Sequence, residues 1–295
     1  MALNIAFIGM GEAGHALVSG WGATRSATIT AYDIKLGDPS TADEITERCD
    51  VLAIGCAATA AEAVAKADLV FCTVTADQAV NAAQAAAAHL RPNAFWCDLN
   101  SCAPSSKRAA AAVVEGAGGR YVDVAVMSPV HPKLNMVPLL ISGAHAADIA
   151  PVLESLPMAP RIVPGEVGAA SSIKMIRSVM VKGLEALTAE CVLAAVEAGV
   201  EDEVLGSLQR SHPGIDWPAQ AAYNFERSIV HGERRAAEME EVAKTLLDLG
   251  LPADMAQATV MWQRRIAGSG VAAPADAVAT GPTPIAAQLL EKLKT

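Results

Sequence analysis

A chain of 295 residues with 52% hydrophobic and 18% charged residues can bury a sizeable core, which excludes a disordered protein, and its length suggests two domains. Aromatic residues make up only 4%, so that core is built mainly from Ala, Val, Leu, Ile and Met. A formal net charge of −10 excludes nucleic acid as the main partner, while an anionic small molecule needs only local positive charge.

No uncharged apolar run is long enough to read as a membrane span, so no membrane partner is expected. The opening Met1 to Gly9 lacks a basic segment and turns Gly-rich at once, which reads as a first strand and not as a leader. The six cysteines form no C-x-x-C pair and several sit in apolar runs. They read as buried free thiols in a reducing compartment, giving a cytoplasmic expectation with no metal site.

Asn4 to Ile8 has strand character and is followed by Gly9-Met10-Gly11-Glu12-Ala13-Gly14 and a helix from His15 to Trp21. This is G-x-G-x-x-G in its required strand-turn-helix setting. Gly9 makes the tight turn, Gly11 admits a pyrophosphate to the backbone and Gly14 lets helix and strand pack closely. The helix N-terminus presents N–H groups to phosphate. Ala27 to Tyr32 reads as a second strand with Asp33 at its end, where a carboxylate meets ribose hydroxyls and repels a 2′-phosphate. The cofactor expected is therefore NAD or NADP, with NAD preferred from Asp33 and Lys35 pulling the other way.

Strands and helices then alternate: strand Val51 to Cys56, helix Ala60 to Lys66, strand Leu69 to Val74, helix Gln78 to Leu90, strand Ala94 to Leu99 and helix Pro104 to Glu115. Further strands follow at Arg120 to Met127 and Val137 to Ser142, then a helix at Asp148 to Leu156 and strand character at 161–163. Continuous apolar strands between helices imply a doubly wound, mostly parallel sheet of Rossmann type covered on both faces. Ligands in such sheets bind beyond the carboxyl ends of the strands. This directs attention to Thr73 and Val74, to Asn100 and Ser101, and to the loop of Ser128 and His131. Ser101 and Ser128 are either hydrogen-bond donors to a ligand or caps of the next turn. His131 reads as a surface histidine.

The strand signal ends at Val163, dividing the chain into 1–164 and an all-helical 165–295. A helix from Glu166 to Ala198 would span about 50 Å. Shorter helices are expected at Glu201 to Gln209, Pro218 to Ile229, Gly232 to Leu249 and Ala253 to Ala267, then a linker from Ala275 to Pro284 and a terminal helix from Ile285 to Lys294. On the long helix Lys174 has apolar neighbours and shares a face with Ser178, Val181 and Glu185. Burial there would lower its pKa toward useful base strength, whereas a stem lying on apolar surface would leave the ammonium in water. Arg177, Lys182, His231, Arg234 and Arg235 are candidate carboxylate ligands, although Arg234 with Glu238 also reads as a solvated i,i+4 pair. The long Ala-rich helix is more apolar than one short bundle buries, which points to a homodimer through the helical half.

Three stretches together resemble the β-hydroxyacid dehydrogenases, the family of 3-hydroxyisobutyrate and 6-phosphogluconate dehydrogenases. They are Gly9 to Gly14, Asp98-Leu-Asn100-Ser101-Cys102-Ala-Pro104, and Gly165-x-x-Gly168-x-Ala170-x-x-x-Lys174-x-x-x-Ser178. The last is similar to the family's glycine-lysine-asparagine motif and implies that Lys174 is the catalytic lysine. Ala170 and Ser178 stand where the family has glycine and asparagine, and Val126 to His131 replaces its Ser-Gly-Gly loop, so the chain resembles a divergent branch with an uncharacterised C-terminal domain. The resemblance implies an NAD(P)-dependent oxidoreductase moving hydride between nicotinamide and the alcohol or carbonyl carbon of a small carboxylate-bearing hydroxy acid. Lys174 would be the general acid/base, and Ser101, Ser128, Arg177 and Ser178 would face the substrate. An imine reductase on the same fold, or a dinucleotide-sensing protein without catalysis, are the alternatives.

Overall fold

The computed structural model describes residues 2–23 and 25–294, and the chain divides into two compact units, Met1–Met175 and Ile176–Thr295. In the first unit the elements are β1 (Asn4–Ile8), α1 (Glu12–Trp21), β2 (Thr28–Tyr32), α2 (Ala42–Val51), β3 (Gly55–Cys56), α3 (Ala60–Val64), β4 (Leu69–Cys72), α4 (Ala79–Ala86), β5 (Phe95–Asp98) and α5 (Pro104–Gly116). They continue with β6 (Arg120–Val126), β7 (Pro138–Ser142), α6 (Ala146–Ser155) and β8 (Ala159–Ile162). The described strands form one sheet in the order β3-β2-β1-β4-β5-β6-β7-β8. Every neighbouring pair is parallel except β6 and β7. Ile5, Phe7, Leu69 and Phe71 enter one buried cluster, while Ala6, Ile8, Val70 and Cys72 enter the other. Burial on both faces is what makes these strands read as unbroken apolar runs. The expected Rossmann-type α/β unit is the fold observed.

Two local expectations are corrected. The segment Val51 to Cys56 is mostly not strand: Val51 ends α2, and only Gly55 and Cys56 pair with β2. Ile45 and Cys49, four apart, bury one face of α2 between charged residues that hid the helical period. The long helix, α7 (Ala169–Ala198), starts three residues later than Glu166, because Gly165 and Gly168 have φ of 128° and 109°, outside any helix. Met175, the last residue of the first unit, lies within α7, whose first turns are tied to the sheet.

That tie is a buried charged network. The Asp123 carboxylate in β6 accepts from the backbone N–H groups of Gly168 at 3.1 Å and Ser171 at 3.0 Å, and from the Ser142 hydroxyl of β7 at 3.1 Å. Ser142 Oγ in turn accepts from Ala170 N at 3.0 Å, so two of the opening N–H groups of α7, those of Ala170 and Ser171, are satisfied by the sheet. Lys107 of α5, fully buried, donates to Asp98 Oδ1 at 3.0 Å and to the Asp98 carbonyl at 2.6 Å. Its Nζ lies 3.5 Å from Asp123 Oδ1, an ion pair without hydrogen-bond geometry. The Tyr121 hydroxyl donates to Asp98 Oδ2 at 2.7 Å. Two carboxylates face one ammonium, and the positive end of α7 helps to compensate the excess negative charge.

The second unit contains the rest of α7 with α8 (Glu201–Ser211), α9 (Trp217–Asp248), α10 (Asp254–Ala267), α11 (Ala277–Thr280) and α12 (Pro282–Leu293). The two helices expected at 218–229 and 232–249 are one. Gly232 does not interrupt it; a Cβ there would lie 2.6 Å from the Gln263 carbonyl oxygen and 2.8 Å from Ala267 Cβ, so the glycine permits close contact between α9 and α10. The linker expected at 275–284 includes α11, whose start is capped by Asp276 accepting from Ala279 N at 2.9 Å. Val192, Leu193, Phe225, Ile266, Ile285 and Leu289 make the core. Beside it, Glu185 pairs with Arg235 at 2.9 Å and accepts from Gln263 Nε2 at 2.9 Å, and Lys182 pairs with Glu238 at 2.8 Å. Burial holds the Glu185 carboxyl above its usual range and the Arg235 guanidinium below its own, despite their pairing. Among the described residues no helix is long and apolar enough to cross a membrane.

Gly232→Val should destabilise the helical unit by about 1–3 kcal/mol, the usual cost of overpacking, as read by urea denaturation. The network of Lys107 has a pH signature. Burial pushes the Lys107 ammonium down, but the Asp98, Cys102 and Asp123 charges outweigh it, leaving its pKa raised above 10.5. Burial first, and then Asp98, raise Tyr121 well above 10.0. Both groups hold their protons more tightly folded than unfolded, so their contribution is complete below those ordinary values and fades as pH rises past them. Urea stability should therefore decline above about pH 10, less steeply in Tyr121→Phe. At neutral pH Lys107→Met, which strands two buried carboxylates, should lose about 3–5 kcal/mol.

Candidate active site

The glycine loop lies where β1 sits between β2 and β4, the point from which the strand order runs outward in both directions. Gly9, at φ 94°, donates its N–H to the Tyr32 carbonyl at 2.8 Å. A Cβ on it would meet the Thr73 carbonyl oxygen at 2.6 Å, and one on Gly14 would meet the Gly9 oxygen at 2.9 Å. Thr73 Oγ1 donates back to the Gly9 carbonyl at 2.7 Å, and Val74 closes the same side. Around Gly11, by contrast, a Cβ would find nothing within 4 Å, and as the N-cap of α1 it supplies no side-chain cap. The loop is thus packed from below and open above, the form of a pyrophosphate cradle. Met10 is fully buried and contributes backbone, Ala13 is half-buried, and Glu12 is exposed in the first turn.

Asp33 braces this cradle. Its Oδ2 accepts from Met10 N at 2.8 Å and its Oδ1 from Lys35 N at 3.0 Å. The neighbouring cations are engaged: Lys35 and Arg48 both pair with Glu44, at 3.2 and 2.5 Å, and Arg48 also donates to the Met10 carbonyl at 2.8 Å. Arg48 escaped the sequence reading because it lies on α2, which was not foreseen. His15 is held below its ordinary pKa by partial burial, with Arg48 and His131 adding to the effect.

Further along the sheet, the loop after β5 is fixed by Asp98, whose Oδ1 accepts from Asn100 N at 2.9 Å and Nδ2 at 2.7 Å. The Asn100 amide also donates to Cys72 Sγ at 3.3 Å, so its NH₂ is turned inward. Its Oδ1 is a buried acceptor with no partner, which fits a ligand that brings a donor. Next to it Ser101 Oγ accepts from Lys174 Nζ at 2.5 Å, with both residues half-buried. Ser101 and Lys174, separated by 73 positions, are therefore in direct contact. Ser128 does not join them by any described bond: its hydroxyl donates to the adjacent Pro129 carbonyl at 3.2 Å.

The other substrate candidates belong to the helical unit. Ser178 is buried and lies 3.3 Å from Lys182 Nζ, one turn along α7, while Arg177 is exposed. Arg235 is buried against Glu185, Arg234 is exposed and His231 is half-buried. The functional reading of the sequence missed Lys107, Tyr121 and Asp123. Lys107 stands in the first turn of α5 between Ser106 and Arg108, and nothing in that sequence separated it from a surface lysine.

Comparison with known proteins agrees with this geometry. Residues 4–159 match the model of the NAD binding domain of 6-phosphogluconate dehydrogenase, and residues 195–266 match a domain of unknown function. A conserved hypothetical protein from Sinorhizobium meliloti 1021 is 35% identical, with 99% of this chain and 97% of that one covered and a TM-score of 0.77. A conserved protein of unknown function, described as structurally similar to 3-hydroxyacid dehydrogenases, is 28% identical over 92% of this chain and 100% of its own, with a TM-score of 0.68. The 3-hydroxyisobutyrate dehydrogenase of Mycobacterium tuberculosis, solved with L-serine, shares the fold at a TM-score of 0.73 and 20% identity, with 100% of both chains covered. Over half of its length, then, this chain is accounted for by one nucleotide-binding model, and it belongs to the family of the 6-phosphogluconate dehydrogenase NAD binding domain, in a divergent branch with 3-hydroxyacid dehydrogenase-like relatives.

Proposed function

We propose that the protein is an NAD(P)-dependent oxidoreductase acting on the alcohol or carbonyl carbon of a small, carboxylate-bearing hydroxy acid, with Lys174 as general acid/base. The observation that carries this reading is the Lys174 Nζ–Ser101 Oγ hydrogen bond of 2.5 Å beyond the carboxyl end of β5. A bound nicotinamide supplies the site that accepts or returns hydride. Lys174, as the neutral amine, takes the hydroxyl proton during oxidation, and its ammonium returns it during reduction. Ser101 orients the amine and offers a hydroxyl to the substrate oxygen. The Asn100 Oδ1 acceptor suits the carboxamide of a nicotinamide.

For the cofactor, NAD is favoured. The Asp33 carboxylate would repel a 2′-phosphate, and the two cations that could attract one, Lys35 and Arg48, are both paired with Glu44. Six free cysteines, four of them buried, suit a reducing, cytoplasmic setting. Candidates for a substrate carboxylate are Ser128 in the first unit and Arg177, Ser178, His231, Arg234 and Arg235 in the helical unit. For assembly we propose a homodimer through the helical half. Ile176, Met180, Leu184 and Leu187, spaced four, four and three apart along α7, remain 49, 64, 44 and 51% exposed, a continuous apolar stripe that a second copy would cover.

A hydroxy-acid panel, run beside matching amines and carbonyls with NAD(H) and NADP(H), tests the reaction class. Absence of any nicotinamide absorbance change across it would leave a sensing protein. On the substrate so found, Lys174→Met should lose roughly 10² to 10⁴ in turnover while cofactor affinity, followed by nicotinamide fluorescence, is retained. Wild-type turnover in that variant removes Lys174 from the chemistry. Light scattering at micromolar concentration should give a dimer for the native chain and a smaller mass for Met180→Asp; a monomeric native chain contradicts the proposed assembly.

A further inference from the structure

A fully buried lysine is an uncommon residue in any protein, and Lys107 joins the two segments that carry Ser101 and Lys174. On one side, Asp98 receives Lys107 and fixes the backbone and amide of Asn100, the residue before Ser101. On the other, Asp123 lies 3.5 Å from Lys107 and receives the N–H groups of Gly168 and Ser171. Ser171 and Lys174 stand three apart on α7, so they share a face of the helix. Ser142 adds a second tie through Ala170 N.

We infer that Asp123, with Lys107 and Ser142, is a positioning residue for Lys174: it sets the height and rotation of the first turns of α7 so that the amine meets Ser101. The inference rests on the acid/base reading of Lys174 and deepens it. Stability alone would be served by tying either segment to the sheet. Here both are referred to one ammonium, so the separation of Ser101 from Lys174 is fixed through three side chains. Because the N–H groups of Gly168, Ala170 and Ser171 are taken by side chains of the sheet, this helix start holds the helix in place and is not open to a phosphate, unlike that of α1.

The test compares Asp123→Asn, which keeps an acceptor, with Asp123→Ala, which does not, and with Ser142→Ala. Two readouts are taken: kcat and KM on the substrate found by the panel, and the rate at which trinitrobenzenesulfonate modifies Lys174, measured by peptide mass spectrometry against the exposed Lys35. Asp123→Ala should lose about 10–100-fold in kcat, the scale of an ångström-sized misplacement, with cofactor affinity and KM within about threefold of native. Asp123→Asn should recover part of that loss. Modification of Lys174, relative to Lys35, should change by more than about threefold in Asp123→Ala. If Asp123→Ala does not fold, Asp123→Asn and Ser142→Ala decide by the same readouts. A lowered melting temperature with unchanged kcat and unchanged Lys174 modification would overturn the inference and leave a purely structural network. Wild-type turnover in Lys174→Met would instead overturn the acid/base reading, and the modification rates would still decide whether Asp123 positions the amine.

Discussion

Two buried carboxylates sharing one buried ammonium are the constraint on which the N-terminal unit depends. Asp98 and Asp123 are neighbours across β5 and β6, in register, and Lys107 rises from α5 to meet both. Taking three charges out of water is costly, and such an arrangement persists only when the remaining lone pairs are filled. Here every carboxylate oxygen except Asp123 Oδ1, which keeps only its ion pair with Lys107, accepts from a group that matters elsewhere: a phenol from β6, the amide of the β5 loop or the opening backbone of α7. The cost of burial is thereby converted into a definite placement of two loops that are distant in sequence.

The nucleotide-binding edge follows a different logic. There the restraints are steric and not ionic. Gly9 and Gly14 sit against Thr73 and each other so closely that a methyl group has no room, while the space over Gly11 is clear. Asp33 holds the loop through Met10 N with one oxygen and the backbone of Lys35 with the other. The turn is therefore shaped by its own contacts, and little ordering is left for a dinucleotide to impose on it.

Much of this was legible in the primary structure, for identifiable reasons. The glycine fingerprint, Asp33, and the apolar runs of β1, β4 and β5 depend on short-range rules, and Lys174 was marked by the glycine pattern before it. Other features were not legible because their causes are tertiary. Lys107 looks like any solvent-facing lysine until α5 is laid against the sheet. Asp123 interrupts an apolar strand in a way that a loop-facing edge residue also would. Gly232 resembles a helix break when its role is to admit α10, and the charges of α2 concealed a helix that carries Arg48 to the glycine loop. In the helical unit the pairing of Lys182, Glu185, Arg235 and Glu238 could be anticipated only as individual charges, since the partners lie on different helices.

The single antiparallel step between β6 and β7 has a topological consequence. With β7 and β8 running against the other strands, the polypeptide leaves β8 at the amino-terminal end of β6 and not at the rim where ligands gather. Its next helix must then travel back along the sheet, and a residue a turn or two inside it arrives at that rim from below. A reversal of two strands thus brings the amine of Lys174, carried on a helix, to the edge where the loop after β5 lies.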